Sequence, residues 1–68
     1  MYMYKLELAL KDQTAILIVM AETDEQAFDL VEEQLVRHFG YHPEVLEASI
    51  VEKKRAAKGN GYIIETGK

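Results

Sequence analysis

No cysteine and no tryptophan occur in the 68 residues, and proline appears once, at Pro43. Without cysteine there is no disulfide framework, and no thiolate to hold a soft metal or act as a nucleophile. Serine also appears once, at Ser49, with no neighbouring base to activate it. Long apolar runs are missing too. The longest, Ala15–Ala21, falls far short of the ~18 residues that cross a bilayer. Met1 is followed by no basic-then-apolar leader pattern. These absences predict a cytoplasmic chain without a membrane anchor. Positive charge is the minority sign, with Lys+Arg 8 against Asp+Glu 12 and a net charge of -4, which argues against a dedicated nucleic-acid binder.

What is present is apolar material: 49% of the chain, beside 29% charged residues. That proportion excludes a disordered tail and predicts one small domain over residues 1–68. A domain of this size buries only about 60% of the surface its unfolded chain exposes. Such chains often borrow burial from a partner, so the question is whether the apolar residues exceed the needs of one core.

Tyr2, Tyr4, Leu6, Leu8 and Leu10 alternate with Met3, Lys5, Glu7 and Ala9, a period of two that predicts a strand over 2–10. Lys11-Asp12-Gln13 supplies turn chemistry, and TAILIVMA at 14–21 is a β-branched second strand. A loop of two or four residues centred on Asp12-Gln13 sets Leu10 opposite Ala15, Leu8 opposite Leu17 and Leu6 opposite Val19. A three-residue loop would reverse every face. The other face then collects Met3, Ala9, Ile16, Ile18 and Met20.

Thr23-Asp24-Glu25-Gln26 is a capping box, with acids suited to the positive end of a helix, and predicts a helix over 24–39. Ala27, Leu30, Val31, Leu35, His38 and Phe39 share one arc, with Phe28 on its flank. Gly40 suits the left-handed position that ends a helix, and Pro43 prevents its resumption. A third strand is expected over 44–54, with Leu46, Ala48 and Ile50 inward. Lys53 to Gly61 then forms a basic turn, and a short fourth strand covers 61–65. The predicted fold is α+β in the order β-β-α-β-β. Its four-stranded antiparallel sheet has the order 2-1-3-4, with the helix on one face.

The second strand is apolar on both sides, although one helix covers only one face. Met3, Ile16, Ile18, Met20 and Val51, with Val45 as a further candidate, are therefore expected to form an uncovered apolar surface. Leaving such side chains in water forgoes about 1.5–3 kcal/mol each. That predicts a homo-oligomer, most simply a dimer, or docking on another protein. Lys53, Lys54, Arg55 and Lys58 form the one basic cluster, a candidate contact for nucleic acid or an acidic protein surface. Gly59-Asn60-Gly61 reads as a turn, since it lacks the helix and Lys-Ser end of a phosphate-binding loop.

His38 and His42 have helical spacing for a metal pair, but Gly40 and Pro43 interrupt the helix between and after them. His38 is expected to be half-buried on the apolar arc. No catalytic, cofactor or metal residue is assigned. The acids fall on a convex helix face, which offers no enclosed pocket for acid–base chemistry.

Three segments carry a resemblance across nearly the whole chain: YKLELALKDQT at 4–14, ETDEQAF at 22–28 and VEKKRAAKGNGYIIE at 51–65. On these the chain resembles a family of short bacterial proteins of Firmicute type, a domain of unknown function. The resemblance implies a bacterial cytosolic setting and carries over no functional residue.

Overall fold

A computed structural model describes residues 1–61 and residue 63. Strand β1 covers Tyr2–Leu10, β2 covers Thr14–Ala21, helix α1 covers Asp24–Phe39 and β3 covers Val45–Arg55. The sheet is antiparallel in the order β2-β1-β3, as expected for these strands. The expected fourth strand, over 61–65, lies largely outside the described residues. No described helix is long and apolar enough to cross a membrane.

The alternation in β1 decides the core. Tyr4, Leu6, Leu8 and Leu10 are buried on the helix side, with Val19 and Ala21 of β2 beside them. Ala27, Val31 and Leu35 of the helix close over this layer, with Leu30 and Phe39 at its margin. The pairing of β1 with β2 differs from expectation: Leu8 faces Ala15, Leu6 faces Leu17 and Tyr4 faces Val19. Each β1 residue meets a β2 partner two positions earlier than expected, because the Leu10 N–H donates to the Gln13 carbonyl at 2.8 Å and centres the turn on Lys11-Asp12. A shift of two keeps every side chain on its expected face.

Both helix ends follow their sequence signals. Thr23 is the N-cap, and its Oγ1 accepts from the Gln26 N–H at 3.1 Å. The Gln26 side chain reaches one residue further back than a standard capping box, accepting the Glu22 N–H at 2.6 Å. At the other end Gly40 sits at φ 79, where a side chain would be strained, and its N–H closes on Val36 O at 2.8 Å. His38 is exposed, not half-buried. It stacks edge-on against Phe39 with ring centroids 4.7 Å apart, on the solvent side of the apolar arc.

Strand β3 departs most from simple alternation. Lys5 pairs with Glu52 and Leu6 with Ile50, so Val51 is an extra residue; Ala9 pairs with Glu47 and Leu10 with Val45, so Leu46 is another. Two bulges therefore change which residues face the core. Val45, Ala48 and Ile50 pack against it, whereas Leu46, expected inward, is 61% exposed. Val45 thus leaves the candidate outer surface. Beyond β3, the Asn60 N–H donates to Ala57 O at 3.1 Å with Gly59 at φ 86, a β-turn at the expected place.

Leu6→Ala should lower unfolding stability by about 2–5 kcal/mol, as a fully buried leucine in the central strand. Leu46→Ala should change it by less than about 0.5 kcal/mol, since the bulge holds that side chain in water. Urea denaturation of the two variants checks that Leu6 and Leu46, both expected inward, differ in the structure as described.

Candidate functional site

On the sheet face away from the helix, cross-strand pairing sets Met20, Met3 and Lys54 in one row and Ile18, Lys5 and Glu52 in the next. Ile16, Glu7 and Ser49 follow, then Thr14, Ala9 and Glu47. The apolar surface is therefore a stripe along β2, flanked by charge over β1 and β3. Ile16 is 52% exposed, Ile18 39% and Met20 47%. Met3 lies on the same face but is only 3% exposed, because its place in the middle strand, between Met20 and Lys54, covers it. It supports the stripe and offers no contact area. Val51 is 47% exposed on β3, two strand spacings from β2, roughly 10 Å away. The structure thus brings together Ile16, Ile18 and Met20, places Met3 beneath them, and leaves Val51 apart.

The two sheet edges differ in chemistry. β3 carries two bulges and the charges Glu47, Glu52, Lys53, Lys54 and Arg55, features that disfavour pairing with a strand of another chain. β2 is regular and has no charged residue from Thr14 to Ala21. Beside it, a cleft of about 350 Å³ is lined by Ala15, Ile16 and Leu17 of β2 and by Gln34, Leu35 and His38 of α1, among others. Ala15 and Leu17 face the helix while Ile16 faces away, so the cleft reaches the outer rim of β2.

The basic residues do not form one surface. Strand alternation turns Lys53 and Arg55 toward the helix side, opposite Tyr4 and Tyr2, and Lys54 to the other face, opposite Met3. Lys58 stands beyond the strand in the turn. Lys53 is held: its Nζ donates to Asp24 Oδ1 at 2.9 Å and lies 4.5 Å from the Tyr2 ring centroid. Lys54 pairs with Glu52 at 3.0 Å. His38 and His42 line different clefts, and among the described residues no three of His, Asp and Glu gather where they could hold a metal ion.

One polar cluster was not anticipated. The Tyr4 hydroxyl donates to Asp24 Oδ1 at 2.8 Å, the same oxygen that accepts from Lys53. This joins the central strand, the first helical residue and β3. The hydrogen bond from Lys53, then that from Tyr4, holds the Asp24 carboxyl below its ordinary 3.8. Hydrogen bonding to Asp24, then Tyr4, raises the Lys53 ammonium above its ordinary 10.5. Burial, then the bond to Asp24, raises the Tyr4 phenol above 10.0. Each shift strengthens the protonation state the group already has at neutral pH, the reverse of tuning for proton transfer. Sequence inspection missed the cluster because its members lie 20 and 29 positions apart. The visible signal was Tyr4, a tyrosine next to the leucines of the inward series, which the structure buries fully.

Fold and surface together define a small α+β domain with a helix on one face of the sheet and, among the described residues, an uncovered apolar edge strand. By sequence, the chain belongs to the family described as "Protein of unknown function (DUF3906)", whose model matches residues 1–64. No curated protein and no solved structure matches the chain.

Linkage gives the sign of the pH dependence. The Asp24 contribution to stability is present above 3.8 and is lost as pH falls through its depressed value. Those of Lys53 and Tyr4 are present below 10.5 and 10.0 and are lost as pH rises through their raised values. Urea midpoints should therefore decline from this cluster at both extremes. Asp24→Asn should flatten the acid limb and Tyr4→Phe weaken the alkaline one; unchanged limbs in both variants would show that the cluster does not couple to folding.

Proposed function

We propose that this chain is a small non-catalytic protein-interaction module that associates with itself through the side of the sheet carrying Ile16, Ile18 and Met20. The observation that carries the reading is the continuous exposure of these three residues along β2, on the face that α1 leaves uncovered. Three side chains of this size, each 39–52% exposed, are an appreciable loss for a domain with little core to spare. Covering them is the simplest compensation. A bacterial, cytoplasmic setting belongs to the same proposal and rests on the chain's composition and on the resemblance of its three signature segments.

One further observation supports a non-catalytic role: the Tyr4–Asp24–Lys53 cluster is shifted away from proton-transfer readiness. Nucleic-acid or acidic-partner binding through Lys53, Lys54, Arg55 and Lys58 gains less support, because these bases divide between two faces and a turn.

Sedimentation equilibrium should show reversible self-association in the micromolar to ~100 µM range, a modest affinity for a surface of this size. Ile18→Glu should abolish it while leaving the circular dichroism spectrum unchanged. A chain that stays monomeric throughout that range would sink the proposal.

A further inference from the structure

We infer that the partner at this surface is a second copy of the chain, joined edge to edge through antiparallel pairing of β2 with β2 about a two-fold axis at Leu17. The inference rests on the self-association reading and specifies its geometry.

Backbone parity supplies the first argument. The Leu10 N–H points to Gln13 and the Lys11 N–H to Glu44, so even-numbered β1 residues bond toward β2 and odd-numbered ones toward β3. The Ala56 N–H, donating to Met1 O at 3.0 Å, obeys the same parity. Because Leu8 faces Ala15 and Leu6 faces Leu17, the odd-numbered residues of β2 are spent on β1. Thr14, Ile16, Ile18 and Met20 therefore direct their backbone N–H and C=O groups outward, along the free edge of the described sheet. The residues with exposed apolar side chains are the ones with outward backbone groups.

The second argument is self-complementarity. Strand pairing requires outward residues to meet outward residues. Centring the pair on Leu17 matches Thr14 with Met20 and Ile16 with Ile18, and engages all four outward residues of each copy. Up to about eight interchain N–H···O bonds can form, since each facing pair exchanges two. The three described strands of each copy join in one continuous sheet, and the two stripes merge on the open face. On the helix side, Leu17 of one copy meets Leu17 of the other, and Ala15 meets Val19 at the mouth of the cleft beside α1. No like charges meet in this pairing, because β2 carries none.

The third argument is the contrast between edges. β3 carries bulges and charge that disfavour pairing with another copy, whereas β2 has neither and no proline. An edge of this kind is a template for another strand unless something occupies it. A face-to-face sandwich fits less well, since the middle and far columns of the open face carry Lys5, Glu7, Glu47, Glu52 and Lys54.

Single-cysteine variants separate these geometries, because the chain has no cysteine of its own. In the edge pairing the two Leu17 positions face each other as a non-hydrogen-bonded pair with Cα atoms about 4.5 Å apart, within the disulfide range. Leu17→Cys should therefore form a covalent dimer under mild oxidation, in the same concentration range as self-association. Ile18→Pro removes an outward N–H and no bond to β1, so it should keep the fold and weaken association roughly ten-fold, as one donor is lost from each copy. Self-association that persists in Ile18→Pro, with cross-linking in Ile18→Cys but none in Leu17→Cys, would overturn the edge pairing while sparing the self-association reading. A monomer at every concentration, whether or not it takes up a foreign extended peptide on this edge, overturns both.

Discussion

β1 hydrogen-bonds on both sides, and the rest of the described structure is arranged by that fact. Its even-numbered side chains form the floor of the core, so β2, β3 and α1 are each positioned by what they add to Tyr4, Leu6, Leu8 and Leu10. The same strand sets backbone parity for both neighbours. Once β1 spends its even-numbered amides on β2, the outward groups of β2 are determined, and with them the chemistry of the free edge. A one-residue slip would have put the leucines in water and turned the β2 stripe inward.

Tyr4 is where this arrangement becomes asymmetric along the strand. Leucine at that position would extend the apolar floor; the phenol instead carries a hydroxyl to the helix start. Asp24 thus has two tasks, a favourable charge at the positive end of α1 and the acceptor that draws in Lys53 from β3. The cluster fastens the sheet to the helix where the core narrows. Lys53 also lies against the aromatic faces of Tyr2 and Tyr4, so this corner pairs its charges internally while remaining open to solvent.

The limits of the three strands and the helix, the capping residues and the inward alternation of β1 were all readable in the chain, because each depends on neighbours within a few residues. Apart from the β1–β2 register, which the local turn at Leu10–Gln13 set, the cause of each failure was non-local. Leu46 looked inward by alternation, but two bulges in β3 moved it to solvent and brought Val45 in. Met3 looked exposed because its face is uncovered, yet strands on both sides of it leave 3% of its surface in water. His38 sat on the apolar arc of a helical wheel, yet it is exposed, at the rim of the cleft between α1 and β2. The run of bases from Lys53 looked like one patch until strand alternation divided it between faces.

The sequence by itself determined which segments are strands and helix, that β2 is apolar on both faces, and that one helix cannot cover it. Periodicity and capping carry that information because they express local backbone geometry. Only the tertiary structure decided that β2 lies at an edge of the described sheet, that the apolar surface is a stripe beside charge and not a whole face, and that two bulges interrupt β3 on the other side of β1. Those outcomes depend on which strands pair and in what register, a matter of contacts between residues far apart in the chain. The surplus of apolar residues was evident from composition; the direction in which it points was settled by the pairing of β1.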